Sequence, residues 1–225
     1  MDSIRNTPQK PLSLVHLMQF PRQSPRPPLL ILLHGVGSNE HDLFDLAGLL
    51  DPRFLTLSVR SPITFGPGAY GWYPVTFTPQ GAVGDTRLAE EGRQKLITFI
   101  GEAVDTYGAD PRQVYLLGFS QGAIMSLAVA LTRPDLVAGA VVMSGRLLPE
   151  AFAHRADDAA LRGLPILAVH GVLDTVLTIA EAREMNRKLS TLPLDLTYRE
   201  YGMGHHTTPE SISEVSRWLT ARLDR

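Results

Sequence analysis

Apolar residues along this chain fall into short runs that alternate with helical stripes. Leu29-Leu30-Ile31-Leu32-Leu33 is a continuous apolar run of strand length. Such a run fits a strand buried on both faces, as in a parallel sheet covered by helices. Phe54 to Val59, Val114 to Phe119, Val137 to Met143, Ile166 to Val169 and Leu194 to Tyr201 are further candidate strands. Between them, His41 to Leu50 carries Leu43, Phe44, Leu46, Ala47 and Leu50 at helical spacing. Asp85 to Tyr107 sets Leu96, Ile97, Ile100, Ala103 and Val104 on one helical face. Gln121 to Leu131 is small and apolar almost all round, which predicts a buried helix, and Ile179 to Leu189 and Pro209 to Leu223 complete the helices. Strands alternating with helices predict an α/β fold with a mostly parallel sheet and right-handed crossovers. Pro21 to Pro28 reads as a loop between two early strands. Arg60 to Gly84, with four prolines and five glycines, reads as one long irregular loop. Loops of that length inside a compact domain are commonly functional.

Composition narrows the class. The 225 residues, 44% of them hydrophobic, suit one sizeable core, so one domain over 1–225 is expected. A net charge of −2 with no run of like charges argues against a nucleic-acid partner. The absence of cysteine excludes disulfides, a Cys nucleophile and thiolate zinc sites. Met1 to Phe20 carries Asp2, Arg5, Lys10 and two prolines without an apolar core, so it is not read as a secretory signal. No apolar stretch reaches the roughly 18 residues of a membrane span. A soluble cytoplasmic protein is the default expectation, and a homodimer is left open.

Gly118-Phe119-Ser120-Gln121-Gly122 matches G-x-S-x-G. The bare pattern recurs by chance, but here it joins a predicted strand to a predicted apolar helix. That is the sharp turn that lifts a nucleophilic hydroxyl above a sheet. A serine hydroxyl needs a base, and in this arrangement the order is Ser, then acid, then His. The histidines after Ser120 are His154, His170, His205 and His206. His154 lies in a charged segment, and His170 reads as structural at the turn that presents the acid. His205 and His206 follow Gly202-Met203-Gly204 in a loop after the last strand. Their side chains must diverge, and His205 is preferred. Asp174, in the loop after strand Ile166 to Val169, is the preferred acid; a turn or N-cap role is its bland alternative. His34-Gly35-Val36-Gly37-Ser38 follows the buried strand Leu29 to Leu33, so the backbone N–H groups of Val36 and Gln121 are the expected oxyanion donors, with His34 propping the turn. The Arg60 to Gly84 segment holds Phe65, Tyr70, Trp72, Tyr73 and Phe77. Trp72, Tyr73 and Val176 are the expected substrate contacts, although loop aromatics also serve to anchor a loop to the core.

These segments together resemble the bacterial carboxylesterase family that includes phospholipase/carboxylesterases and acyl-protein thioesterases. The resemblance runs from about Leu29 to Leu223. It rests on His34-Gly35-Val36-Gly37, Trp72-Tyr73, the G-F-S-Q-G form around Ser120, Ser144-Gly145, His170-Gly171 with Asp174 and Val176, and Gly204-His205. In that family the His after the Met-Gly of the last loop is the base, which favours His205. The resemblance implies an α/β-hydrolase fold without a large cap domain and a serine carboxylesterase acting on short- to medium-chain acyl esters, with no cofactor and a small-molecule ester as partner. Acyl-protein thioesterase or lysophospholipase activity is the alternative, and a non-catalytic binding protein on the same fold is the alternative of a different class. The turn Ser38 to Asp42 departs from the thioesterase branch, and Pro74 stands where relatives commonly carry an acid.

Overall fold

The computed structural model of the chain describes residues 12–22, 25–78 and 81–224. Residues 1–11, which include Asp2, Arg5 and Lys10, lie outside them, as do 23–24 of the Pro21 to Pro28 loop, 79–80 and the side chain of Phe77.

Seven strands form the central sheet: β1 (His16–Gln19), β2 (Leu29–Leu33), β3 (Leu55–Val59), β8 (Val114–Phe119), β9 (Gly139–Met143), β10 (Pro165–Gly171) and β11 (Asp195–Tyr201). Their order is β1-β3-β2-β8-β9-β10-β11, parallel throughout except for β1 against β3. Each central strand is apolar on both faces because both faces are covered. Leu29, Ile31 and Leu33 of β2 pack with Leu116 of β8 into the core under helices α1 (Thr86–Tyr107), α2 (Gln121–Thr132) and α5 (Ile179–Leu189). Leu30 and Leu32 pack the other way, with Tyr115, Leu117 and helix α6 (Pro209–Leu223). Helix α2 is buried all round from Gln121 to Leu131, as its composition predicted. Two short helices, α3 (Pro149–Ala153) and α4 (Asp158–Leu161), flank exposed His154. Among the described residues no helix is long and apolar enough to cross a membrane.

Two expected elements differ. The helix read over His41 to Leu50 is a 3₁₀ segment, Phe44–Leu49, built from i→i+3 bonds such as Leu46 N–H to Leu43 C=O at 3.0 Å. The apolar spacing identified the inward face, where Leu43, Ala47 and Leu50 are buried, but that spacing does not distinguish i→i+3 from i→i+4 bonding. The segment Arg60 to Gly84 is not one irregular loop. It holds two antiparallel hairpins, β4 (Ile63–Gly66) with β5 (Ala69–Gly71), and β6 (Val75–Thr78) with β7 (Gly81–Gly84). Its glycines and prolines punctuate very short strands, whose alternation is too brief to register in sequence.

The order of strands fixes where a site can form. Connections leave β2 towards β3 on one side and return to β8 on the other, so the order in which strands are added reverses between β2 and β8, although the two are parallel. Ligands in open α/β sheets bind at the carboxyl ends of the strands at such a reversal. The turn after β2 and Ser120 after β8 both lie there.

Candidate active site

Ser120 sits at φ 53°, ψ −118°, a strained backbone for a non-glycine residue, held by its N–H donating to Met143 C=O at 2.9 Å. Gly122 is required two residues on. A Cβ there would overlap the carbonyl of Leu33 and lie 2.7 Å from that of His34, so α2 starts directly against the end of β2.

His205 and Asp174 reach Ser120 from two later strand ends. The Ser120 Oγ donates to His205 Nε2 at 2.9 Å, and His205 Nδ1 donates to Asp174 Oδ2 at 2.7 Å. The Asp174 carboxylate is fully buried, and its Oδ1 accepts the N–H groups of Val176 and Leu177, each at 2.9 Å. Both oxygens are therefore held, and the imidazole is oriented by an acceptor that cannot swing away. His170 Nε2 donates to Leu177 C=O at 2.7 Å, so it braces the acid's loop, in keeping with its structural reading. Gly171 admits the loop that carries His205: a Cβ there would overlap Met203 C=O. His206 points elsewhere, exposed beside Phe119 and Thr207.

The turn after β2 is braced by a neutral histidine. His34 Nδ1 donates to Gly35 C=O at 2.7 Å, and its Nε2 accepts the Ser61 N–H at 3.1 Å. Burial lowers its pKa, which favours this neutral form. Glu40, in the segment that departs from the thioesterase branch, is buried and grips Arg60 through two bonds of 2.5 and 2.7 Å. Hydrogen bonding to Arg60 holds the Glu40 carboxyl below the usual carboxylate range. Arg60 in turn stacks 4.5 Å over Tyr70, and Tyr70 N–H donates to Ser38 C=O at 2.8 Å. The first hairpin is thereby tied to the turn after β2.

Val36, Tyr73, Ser120, Gln121 and Val176, all expected at the site, line one narrow cavity of about 30 Å³. Ile124 and Arg146 also line it, and neither was expected there. Trp72 is a correction: it is fully buried and outside the lining, its backbone packed against Gly92 of α1. A large indole next to a tight helix contact belongs to the core.

The side chain of Gln121 was also missed. Its Oε1 accepts Trp72 N–H at 2.7 Å and its Nε2 donates to Tyr73 C=O at 2.8 Å, which clamps the hairpin segment onto the turn that carries Ser120. A signal existed: a single polar side chain at the start of a helix apolar all round must find buried partners. Gln121→Leu is expected to leave two buried backbone groups unpaired. The loss should be about 2–4 kcal/mol of stability in urea unfolding, with weakened activity; an unchanged midpoint would remove the clamp.

Known proteins bear on this geometry. Residues 19–223 match the family model described as phospholipase/carboxylesterase. MhqD of Bacillus subtilis (strain 168), named as a hydrolase, is 28% identical over 84% of this chain and 91% of its own length. Acyl-protein thioesterase 1 of Gibberella zeae is 26% identical over 91% of this chain and 94% of its own. The crystal structure of esterase PE8 superposes with a TM-score of 0.80 at 25% identity, covering 92% of this chain and 98% of that one. With its mostly parallel sheet between helical layers and a match over nearly its whole length, the chain has the α/β-hydrolase fold and belongs to the phospholipase/carboxylesterase family of carboxylic ester hydrolases.

Proposed function

We propose that this chain is a serine esterase that cleaves short-chain carboxylic esters through an acyl-Ser120 intermediate. One observation carries the reading: the unbroken hydrogen-bond relay from Asp174 through His205 to Ser120, at 2.7 and 2.9 Å. Ser120 Oγ attacks the ester carbonyl as His205 Nε2 takes its proton, and Asp174 stabilises the imidazolium that forms. The backbone N–H groups of Val36 and Gln121 receive the oxyanion, the latter at the N-terminus of α2, where the helix dipole adds to the effect. His205 returns the proton to the departing alcohol and then activates the water that releases the acid. No cofactor enters any step.

The short-chain preference is supported by the cavity beside Ser120. At about 30 Å³ it holds on the order of two water molecules, and its walls are mainly apolar. A fluorophosphonate probe is expected to label Ser120. kcat/KM on p-nitrophenyl esters is expected to peak at acyl groups of about two to four carbons, by the same volume argument. A maximum on long-chain thioesters would favour the acyl-protein thioesterase reading instead, and absence of any adduct would favour a non-catalytic binding protein.

A further inference from the structure

We infer that a recess beside His205, separate from the cavity at Ser120, takes the alcohol half of the substrate and selects esters in which a small acyl group is carried by a large, neutral, mainly apolar alcohol of the aromatic class; the inference rests on the esterase reading above. Two hollows meet at the Ser120–His205 hydrogen bond. Ser120 lines the cavity of about 30 Å³, His205 lines a recess of about 230 Å³, and 2.9 Å separates Ser120 Oγ from His205 Nε2. No residue lines both hollows.

The chemistry assigns one hollow to each half of an ester. In the tetrahedral intermediate the oxyanion turns to the N–H groups of Val36 and Gln121, and both residues line the small cavity with Ser120. The departing oxygen must take its proton from His205 Nε2, so the alcohol attached to it lies against the imidazole. That alcohol runs into the recess, while the acyl group stays in the small cavity. The recess has room for on the order of fifteen water molecules, enough for an aromatic ring.

The walls of the recess suit an apolar group. Leu43, Leu46 and Phe119 line it. Leu43 is buried, whereas Leu46 and Phe119 are only partly buried against the core cluster that holds it, and so keep apolar surface for a ligand. The Phe119 ring lies 5.0 Å from the His205 imidazole, centroid to centroid, and is tilted by 48° to it. A ring carried on the leaving oxygen therefore has an aromatic neighbour beside the imidazole, and aromatic pairs gain beyond the area that they bury. Asp42, His206 and Thr207 complete the lining, and Asp42 and His206 are exposed. The Asp42 carboxylate disfavours an anionic alcohol through like-charge repulsion.

Benzyl acetate and methyl phenylacetate test the assignment. They are isomers that carry the same ring on opposite sides of the ester, and their alcohols are leaving groups of similar acidity. For benzyl acetate, the Ser120 Oγ–acetyl bond forms as the acetyl–benzyloxy bond breaks, and the serine proton leaves with benzyl alcohol through His205. Water then releases acetate and restores the serine proton. Acid release is followed by pH-stat, with methyl acetate as the reference. kcat/KM for benzyl acetate is expected to exceed that for methyl acetate by at least about tenfold, the effect of burying one ring against apolar walls. Methyl phenylacetate is expected to fall below methyl acetate. Leu46→Gln, which makes a wall polar, and Thr207→Phe, which fills the recess, should each cut the benzyl-to-methyl ratio by at least about threefold. Both rates come from one preparation, so partial misfolding of a variant cancels in the ratio. The inference is overturned by a wild-type benzyl-to-methyl ratio at or below one, by faster cleavage of methyl phenylacetate than of benzyl acetate, or by a wild-type ratio kept in both variants. Each of these results leaves the esterase reading standing. No turnover of any of the three esters, together with no fluorophosphonate adduct, overturns both.

Discussion

Ser120→Ala is expected to lower kcat on a short-chain ester by on the order of 10⁶-fold, the scale measured for removal of a serine nucleophile acting with a base. His205→Ala should cost about as much, and the double variant should be scarcely worse than either, because residues that act as a unit lose their joint effect once. The fold should not change. Ser120 Oγ has His205 as its hydrogen-bond partner, and the turn is held by main-chain contacts such as Ser120 N–H to Met143 C=O. Circular dichroism and thermal midpoints close to wild type would separate lost chemistry from lost structure. A Ser120→Ala enzyme within a factor of about ten of the wild-type rate would end the acyl-serine mechanism.

Gly122→Ala is expected to be the most damaging single methyl in the chain. The added Cβ would overlap the Leu33 carbonyl and crowd His34 C=O at 2.7 Å. Both atoms belong to main chain that cannot yield, because β2 is bonded to β3 on one side and β8 on the other. A loss above about 4 kcal/mol is expected, read as insoluble protein or a large fall in the urea midpoint. Gly101 is the matched control. It is exposed within α1, and a Cβ there would meet nothing within 4 Å. Gly101→Ala should therefore stabilise by roughly 0.5–1 kcal/mol, the helix-propensity gain alone. If the two variants unfolded at the same urea concentration, the close approach of α2 to β2 would be wrong.

Much of the scaffold was legible because its signals are local. The apolar run Leu29 to Leu33 and the strand Val114 to Phe119 have the bounds expected, as do helices α5 and α6. Doubly buried strands and a buried helix cannot be built from mixed residues, so composition alone marks them. The candidate site was legible where chain order constrains it: Ser120, Asp174 and the pair His205-His206 follow β8, β10 and β11 in the order serine, acid, histidine. Illegible were the parts whose signal is diluted or non-local. The two hairpins of residues 60–84 are too short to show alternation, and Trp72 looks the same in sequence whether it walls a pocket or fills a core.

By itself the sequence determined which segments must be buried, that the chain would form a parallel sheet between helices, and that a serine would stand on the turn after β8. Local burial and turn chemistry suffice for those. Only the tertiary structure decided that His205 rather than His206 faces Ser120, that the Gln121 side chain clamps Trp72 and Tyr73, and that Arg146 enters the cavity. Each of these depends on contacts between segments tens to over a hundred residues apart. Their geometry is set by how the strand ends meet where the strand order reverses, which the residues do not carry until the chain is folded.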